Sequence, residues 1–208
     1  RILHARAACF VKTHLNSMQN PAENLSFISR RSDVLATRGM VATSQPLAAL
    51  AGLDVLGAGG NAVDAAIAAA AVLCVVEPVS TGLGGDAFAV CYDIRNKQVP
   101  ALNGSGRAPM AASIDALRAA GHTSMPRYSG ASVTVPGAVR AWADLSGRYG
   151  TIPLRELLKP AIQIAEQGYP VTEIIARSWE RAVPRLLRTR GCNAPEPDDG
   201  PEQPSGRE

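Results

Sequence analysis

With 208 residues and 46% hydrophobic content, the chain has the length of one ordinary domain and enough apolar side chain to build a core. Lys plus Arg exceed Asp plus Glu by only 21 − 18 = 3, a surplus too small to specify a charged partner. Nucleic acid is excluded as a partner: the basic residues are scattered and aromatics make up 4%, whereas nucleic-acid binders gather both on one face.

Residues 1–37 show no sustained period, and "NPAENLSFISRRSD" has the polar, Pro-containing composition of a leader or flexible arm. The apolar run near the start is interrupted by Lys12, His14 and Asn16, so no secretory signal is assigned and the cytoplasm is the favoured compartment. The first residue is Arg1, which makes Met18 and Met40 candidate starts within a longer reading frame.

Regular structure is expected from "GMVATS", residues 39–44, a strand candidate. In "SQPLAALAGLDVLGAGG", Ser44 is the expected helix cap and Pro46 lies in the first turn. Leu47, Leu50, Leu53 and Leu56 recur at helical spacing, and Gly59-Gly60 ends the run. A second helix follows in "NAVDAAIAAAAVLCVVEP", with Asn61 as N-cap, Asp64 near the positive end of the helix dipole and Pro78 as terminator. Apolar on every side, it has to be buried on every side. It is too short for a bilayer span of about 20 residues and carries Asp64, so no membrane partner is expected.

"AFAVCYD" and "QVPALNG", joined by the polar "IRNK", predict a β-hairpin. Helices are then expected in "SIDALRAAG", capped by Ser113 with Asp115 in its first turn, and in "PGAVRAWADLSGRYG", with Val139, Trp142 and Leu145 on one face. Two more follow: "PLRELLKPAIQIAEQGYPV" carries Leu157, Leu158, Ile162 and Ile164, and "VTEIIARSWERAVPRLLR" is broken or kinked at Pro184. From Cys192 the chain reads "CNAPEPDDGPEQPSGRE", a composition that cannot bury a core. Residues 192–208 are therefore expected to be a disordered, Pro-rich acidic tail, and the chain looks cut off there.

Several segments could carry chemistry. Cys9, Cys74, Cys91 and Cys192 form no CxxC pair and have no His nearby, so no metal ligand or disulfide framework is assigned. Cys74 and Cys91 read as small buried thiols, which favours a reducing compartment. Gly82, Gly84 and Gly85 could present amides to an anion, but the order helix, glycine turn, strand is the reverse of that in phosphate-binding loops, so a tight corner is the better reading. Asp86 reads as a local acceptor for the loop's own amides, and His122 has no triad partner at a recognisable spacing. "LNGSGRAP", residues 102–109, is the strongest binding candidate. Asn103 and Ser105 are neutral donors, and Arg107, flanked by glycine and stiffened by Pro109, has the bidentate fork that clamps a carboxylate. A plain surface arginine, or one capping a nearby helix end, is an equal alternative at this level.

The runs "GMVATSQPLAALAGLDVLGAGGNAVDAAIAAAAVLCVVEPVSTGLGGDAFAV", "ALNGSGRAP" and "SVTVPGAVRAW" together resemble the N-terminal part of the γ-glutamyltransferase family, also called γ-glutamyl transpeptidases or glutathione hydrolases. The resemblance runs from about Gly39 to about Leu187. It implies an α+β fold, the N-terminal portion of the αββα sandwich of N-terminal-nucleophile hydrolases, helix-rich and incomplete in this chain. Residues 38–191 would be a portion of the large subunit.

The resemblance further implies a precursor that cleaves itself, and a new N-terminal Thr on the small subunit that attacks the γ-glutamyl amide with its own α-amine as base. The substrate would be a γ-glutamyl compound such as glutathione. The partner would be the small subunit from the same precursor, in a heterodimer or heterotetramer, and no metal or organic cofactor is implied. The nucleophile lies outside this sequence, so no catalytic residue is assigned, and the chain alone should be inactive and prone to expose core. In the family an Arg in the loop ending Ala-Pro binds the α-carboxylate. A gap-free match puts Ser105 at that position and Arg107 two residues later. Either Arg107 takes that role with a shifted loop, or the chain belongs to an acylase-like branch. A non-catalytic large-subunit remnant acting as an interaction domain is the alternative of another class.

Overall fold

The computed structural model of the chain describes residues 34–126 and 129–187. The expected arm (its first 33 residues) and the acidic tail lie outside that range. The described residues divide into two units, one ending at Gly168 and one beginning at Tyr169.

The first unit is helix-rich α+β. Its order is α1 (Pro46–Gly57), α2 (Ala62–Val76), β1 (Ala87–Val90), β2 (Ala101–Gly104), α3 (Ile114–Ala119), α4 (Ala138–Tyr149) and α5 (Leu154–Gln167). Helix α2 is the centre, packed by α1, α4 and α5. None of its 15 residues is exposed, and Ile67 and Val72 are fully buried, each contributing about 1.5–3 kcal/mol on transfer from water. The all-round apolar pattern thus meets the all-round burial it required.

The α1–α2 contact runs through small residues. Ala48, Ala51, Gly52 and Val55 are the buried face of α1, and a Cβ on Gly52 would lie 3.0 Å from Val41 Cγ2 and 3.3 Å from the Ala65 carbonyl. The leucine stripe is only partly packed: Leu47 and Leu56 are half-buried, while Leu50 and Leu53 are exposed. Alanines and a glycine let the backbones approach more closely than leucines could, and close approach wins. The cap also differs from expectation. Gln45 is the N-cap and makes no side-chain cap bond, while Ser44 Oγ donates to Glu77 Oε2 at 2.5 Å and Gln45 Nε2 to the same atom at 3.1 Å. Both side chains tie the start of α1 to the end of α2. The stop at Gly59-Gly60 is as expected: Gly59 has φ +93°, its amide bonds the Leu56 carbonyl at 3.2 Å, and the Gly60 amide bonds that of Val55 at 2.9 Å, a Schellman closure.

At the start of α2 the capping reading holds and extends. Asn61 Oδ1 accepts from the amides of Val63 and Asp64, and Asp64 Oδ2 accepts the Asn61 amide at 2.9 Å. The same carboxylate, fully buried, accepts from the Thr151 amide at 3.1 Å and the Thr151 hydroxyl at 2.6 Å, while Asn61 Nδ2 donates to the Tyr149 carbonyl at 2.6 Å. One cap therefore pins the α4–α5 junction to the central helix.

Strands β1 and β2 form the expected hairpin, antiparallel, with Ala87 opposite Gly104 and Val90 opposite Ala101. Its turn falls at "IRNK", where Asp93 Oδ1 accepts the Arg95 amide at 2.9 Å. The half-buried side chains Ala87, Ala89, Leu102 and Gly104 lie on the face toward α4; Phe88 and Val90 lie on the open face, 65% and 51% exposed. "GMVATS" forms no strand. Ladder bonds need a partner edge, and none lies beside it among the described residues.

Ser113 caps α3 as expected, accepting the Ala116 amide at 3.1 Å. In α4 the buried residues are Ala138, Ala141, Trp142 and Leu145, so Val139 points outward instead of joining Trp142. In α5 Leu157 is fully buried and Ile162 is exposed, with Ala161 taking the inner position. The second unit contributes α6 (Glu173–Leu186), which continues through Pro184 rather than breaking there. Pro184 sits in the last turn, where only one ladder bond is forfeited.

Candidate functional site

Strand β2 ends at Gly104 and delivers the chain into the loop of Ser105, Gly106 and Arg107. The loop begins with an Asx turn, Asn103 Oδ1 accepting the Ser105 amide at 3.0 Å. It is then fastened to the segment before α4: the Val135 amide donates to the Arg107 carbonyl at 2.9 Å, and Thr134 Oγ1 donates to the Ser105 carbonyl at 3.4 Å.

Glycines make that fastening possible. Gly106 has φ +72°, and a Cβ there would collide with the Val135 carbonyl; one on Gly137 would collide with the Gly104 carbonyl and lie 2.8 Å from the Gly106 amide nitrogen. A Cβ on Gly104 would meet Ala141 Cβ and the Ala87 carbonyl, each at 2.7 Å. Backbone therefore crosses backbone at three glycines. Arg107 stands outside the crossing, exposed, with no side-chain hydrogen bond or ion pair among the described residues. Asn103 is exposed and Ser105 half-buried, so all three predicted binding residues fall on one short, pinned stretch.

The glycine turn of residues 82–85 is a corner. Gly82 and Gly84 have nothing within 4 Å of an added Cβ, and the Gly85 amide closes the turn on the Gly82 carbonyl at 3.1 Å. The Gly85 carbonyl accepts from the amides of Gly137 at 3.1 Å and Ala138 at 3.0 Å, so the turn takes up two donors at the start of α4. Asp86 differs from the local-acceptor reading. It is exposed, and its carboxylate has no hydrogen-bond or ion-pair partner among the described residues. Sequence reasoning missed the role of Val135-Pro136-Gly137 in holding the Arg107 loop; the available signal was a Pro-Gly pair directly ahead of a helix.

Elsewhere, a cavity of about 310 Å³ lies between the hairpin and α4, lined by Ala89, Cys91, Pro100, Ala101, Leu102, Asp144, Leu145, Arg148 and Tyr149. None of the loop residues lines it. Cys91 is buried and Cys74 half-buried; burial pushes the Cys74 thiol up in pKa, against a hydrogen bond with Thr81 that lowers it. Among the described residues no three His, Cys, Asp or Glu side chains converge as a metal site would need, and no helix is long and apolar enough to cross a membrane.

A family model described as Gamma-glutamyltranspeptidase matches residues 48–196. Over 155 residues the chain is 36% identical to a glutathione hydrolase proenzyme of Bacillus subtilis (strain 168), covering 73% of this chain and 26% of that protein. Among solved structures it is similar to a cephalosporin acylase from Bacillus halodurans, with TM-score 0.72, 50% identity and coverage of 84% of this chain and 31% of that one. It is also similar to the Helicobacter pylori gamma-glutamyltranspeptidase, with TM-score 0.66, 30% identity and coverage of 77% and 47%. The chain thus spans between about a quarter and a half of the length of these relatives. From its matched residues and its fold, the chain belongs to the gamma-glutamyltranspeptidase family.

Proposed function

We propose that the complete protein cleaves γ-glutamyl amides such as glutathione by acyl transfer, and that this chain supplies the loop that receives the substrate's carboxylate. The observation that carries this reading is Arg107: exposed and unpaired among the described residues, on a loop whose carbonyl and glycines are locked to Val135 and Gly137. The pinned backbone fixes where the side chain starts, and the unpaired guanidinium has its full fork to offer for two charge-assisted bonds. Asn103 and Ser105 flank it as neutral donors. The nucleophile, an N-terminal Thr freed by self-cleavage, belongs to sequence beyond this chain. Attack on the amide gives an acyl-enzyme that passes to water or an amino acid. In this reading the open face of the hairpin, with Phe88 and Val90, packs against the second sheet of an αββα sandwich, and the complete protein assembles from large and small subunits.

A second reading is an acylase for side chains such as glutaryl, favoured by the 50% identity to the Bacillus halodurans protein. Glutaryl and γ-glutamyl groups carry the same terminal carboxylate and differ by one ammonium. The complete protein assayed on a γ-glutamyl anilide and a glutaryl anilide separates the two. For the clamp itself, Arg107→Ala is expected to raise KM about 10- to 100-fold, the loss of a charge-assisted hydrogen-bonded pair. An unchanged KM on both substrates removes Arg107 from the site.

A further inference from the structure

We infer that the cavity between the hairpin and α4 is a second binding site, separate from the Arg107 loop, for a small amphipathic anion: one ring or a short chain bearing one carboxylate.

The cavity exists because hairpin and helix meet at one end only. At the Gly104 end they touch, since a Cβ on Gly104 would lie 2.7 Å from Ala141 Cβ. Leu145, Arg148 and Tyr149 lie one and two turns further along the same stripe of α4, and opposite them the hairpin presents Ala89, Cys91 and Leu102. Ala89, with a single methyl group, does not fill the gap, and about 310 Å³ stays open. Packed elements leave few voids larger than a water molecule, so a space of this size between two of them is fit for an occupant. Its volume lies at the lower end of ligand sites, about 300–1,000 Å³, which limits the ligand to one ring or a short chain.

The walls set the polarity of that ligand. The floor is apolar, with Cys91 and Leu145 buried and Ala89 and Leu102 half-buried. The charges stand on α4, and one of them is already answered: both carboxylate oxygens of Asp144 accept from Arg140 Nε, at 2.9 and 3.0 Å. Arg148 is not answered. Its side chain is exposed, has no hydrogen bond or ion pair among the described residues, and stands over the Tyr149 ring, 5.2 Å from the centroid. Stacking uses the face of the guanidinium and leaves its N–H edge to donate. An apolar floor with one unanswered cation at the rim is the complement of an amphipathic anion. The apolar body leaves water for the floor, and the carboxylate accepts charge-assisted bonds from Arg148. An ammonium in that place would meet a like charge. Asn103, Ser105 and Arg107 do not line the cavity, so this site stands or falls apart from the acyl-transfer reading.

The test is calorimetric binding of phenylacetate, phenylacetamide and benzylamine to the complete protein. Phenylacetate is expected to bind at least about tenfold more tightly than either of the others. Arg148→Gln, a change at an exposed residue, should weaken phenylacetate about tenfold, the lower end for a charge-assisted bond. Ala89→Leu should fill the cavity and abolish binding, with the melting temperature unchanged or raised. Arg107→Ala should leave phenylacetate within about threefold of wild type. The site is overturned if no probe binds, if all three bind alike, or if neither Arg148→Gln nor Ala89→Leu weakens phenylacetate. A loss on Arg107→Ala that Arg148→Gln does not produce also overturns it, and puts phenylacetate at the substrate loop instead. A melting temperature lowered by Ala89→Leu, in a protein that binds no phenylacetate, shows the cavity filled by another part of the complete protein.

Discussion

Asp64→Ala should loosen the packing of α2 more than any surface change in this chain. The carboxylate is fully buried and accepts from four donors: the amides of Asn61, Thr151 and Ile152, at 2.9, 3.1 and 3.4 Å, and the Thr151 hydroxyl at 2.6 Å. Each buried donor left unmade costs about 1–3 kcal/mol. Thr151 is exposed and Asn61 and Ile152 half-buried, so water reaches part of the set and the lower end applies. Four donors, with the lost cap among them, then come to about 3–5 kcal/mol, a large share of the typical 5–15 kcal/mol of folding stability. Asp64→Asn keeps the size and one acceptor oxygen and should lose roughly half as much. The assay is hydrogen–deuterium exchange in the complete protein, read on peptides covering Ala62–Val76 and Thr151–Ile152. At about 1.4 kcal/mol per factor of ten, Asp64→Ala should speed exchange there by about 100- to 3000-fold. Exchange within about threefold of wild type in both peptides would show that the buried carboxylate does not hold the α4–α5 junction, and the reasoning fails.

Two glycines make opposite predictions. Gly106→Ala forces a side chain onto a φ of +72° and into the Val135 carbonyl, so it should lower the melting temperature and raise KM as Arg107→Ala does. Gly84→Ala, with open space around it and no positive φ, should stay within about 0.5 kcal/mol of wild type and keep full activity. A large loss at Gly84 would revive ligand binding at that turn. The Cys74 thiol, raised by burial above its ordinary value of 9.0, should alkylate more slowly than a free thiol at pH 8–9, followed by peptide mass spectrometry. The linked stability is present below pH 9.0 and is lost as pH rises through the raised folded value, so rapid labelling at pH 8 would contradict the burial.

Local rules located most elements because their causes are local. Asn61 and Asp64 cap a helix through bonds within three residues, Gly59 and Gly60 end one through a positive φ and a Schellman closure, and an alternating pattern on each side of "IRNK" makes a hairpin. The same rules placed Asn103, Ser105 and Arg107 together, at the end of a strand and on the loop after it, since they are close neighbours in sequence and glycines end the strand there. They failed where the choice depended on a distant neighbour. Leucines at helical spacing in α1 suit burial as well as its alanines do, and only the approach of α2 decided for Ala48, Ala51 and Gly52. Ser44 lost its expected cap to Glu77, 33 residues away, and Asp64 gained Thr151, 87 residues away. What the sequence determined by itself is where turns, caps and apolar runs fall, because those energies are set within a few residues. What the tertiary structure decided is which faces close, and that the backbone beside Asp86 and Arg107 meets around Gly137, because backbone contact between distant segments leaves no mark in local spacing.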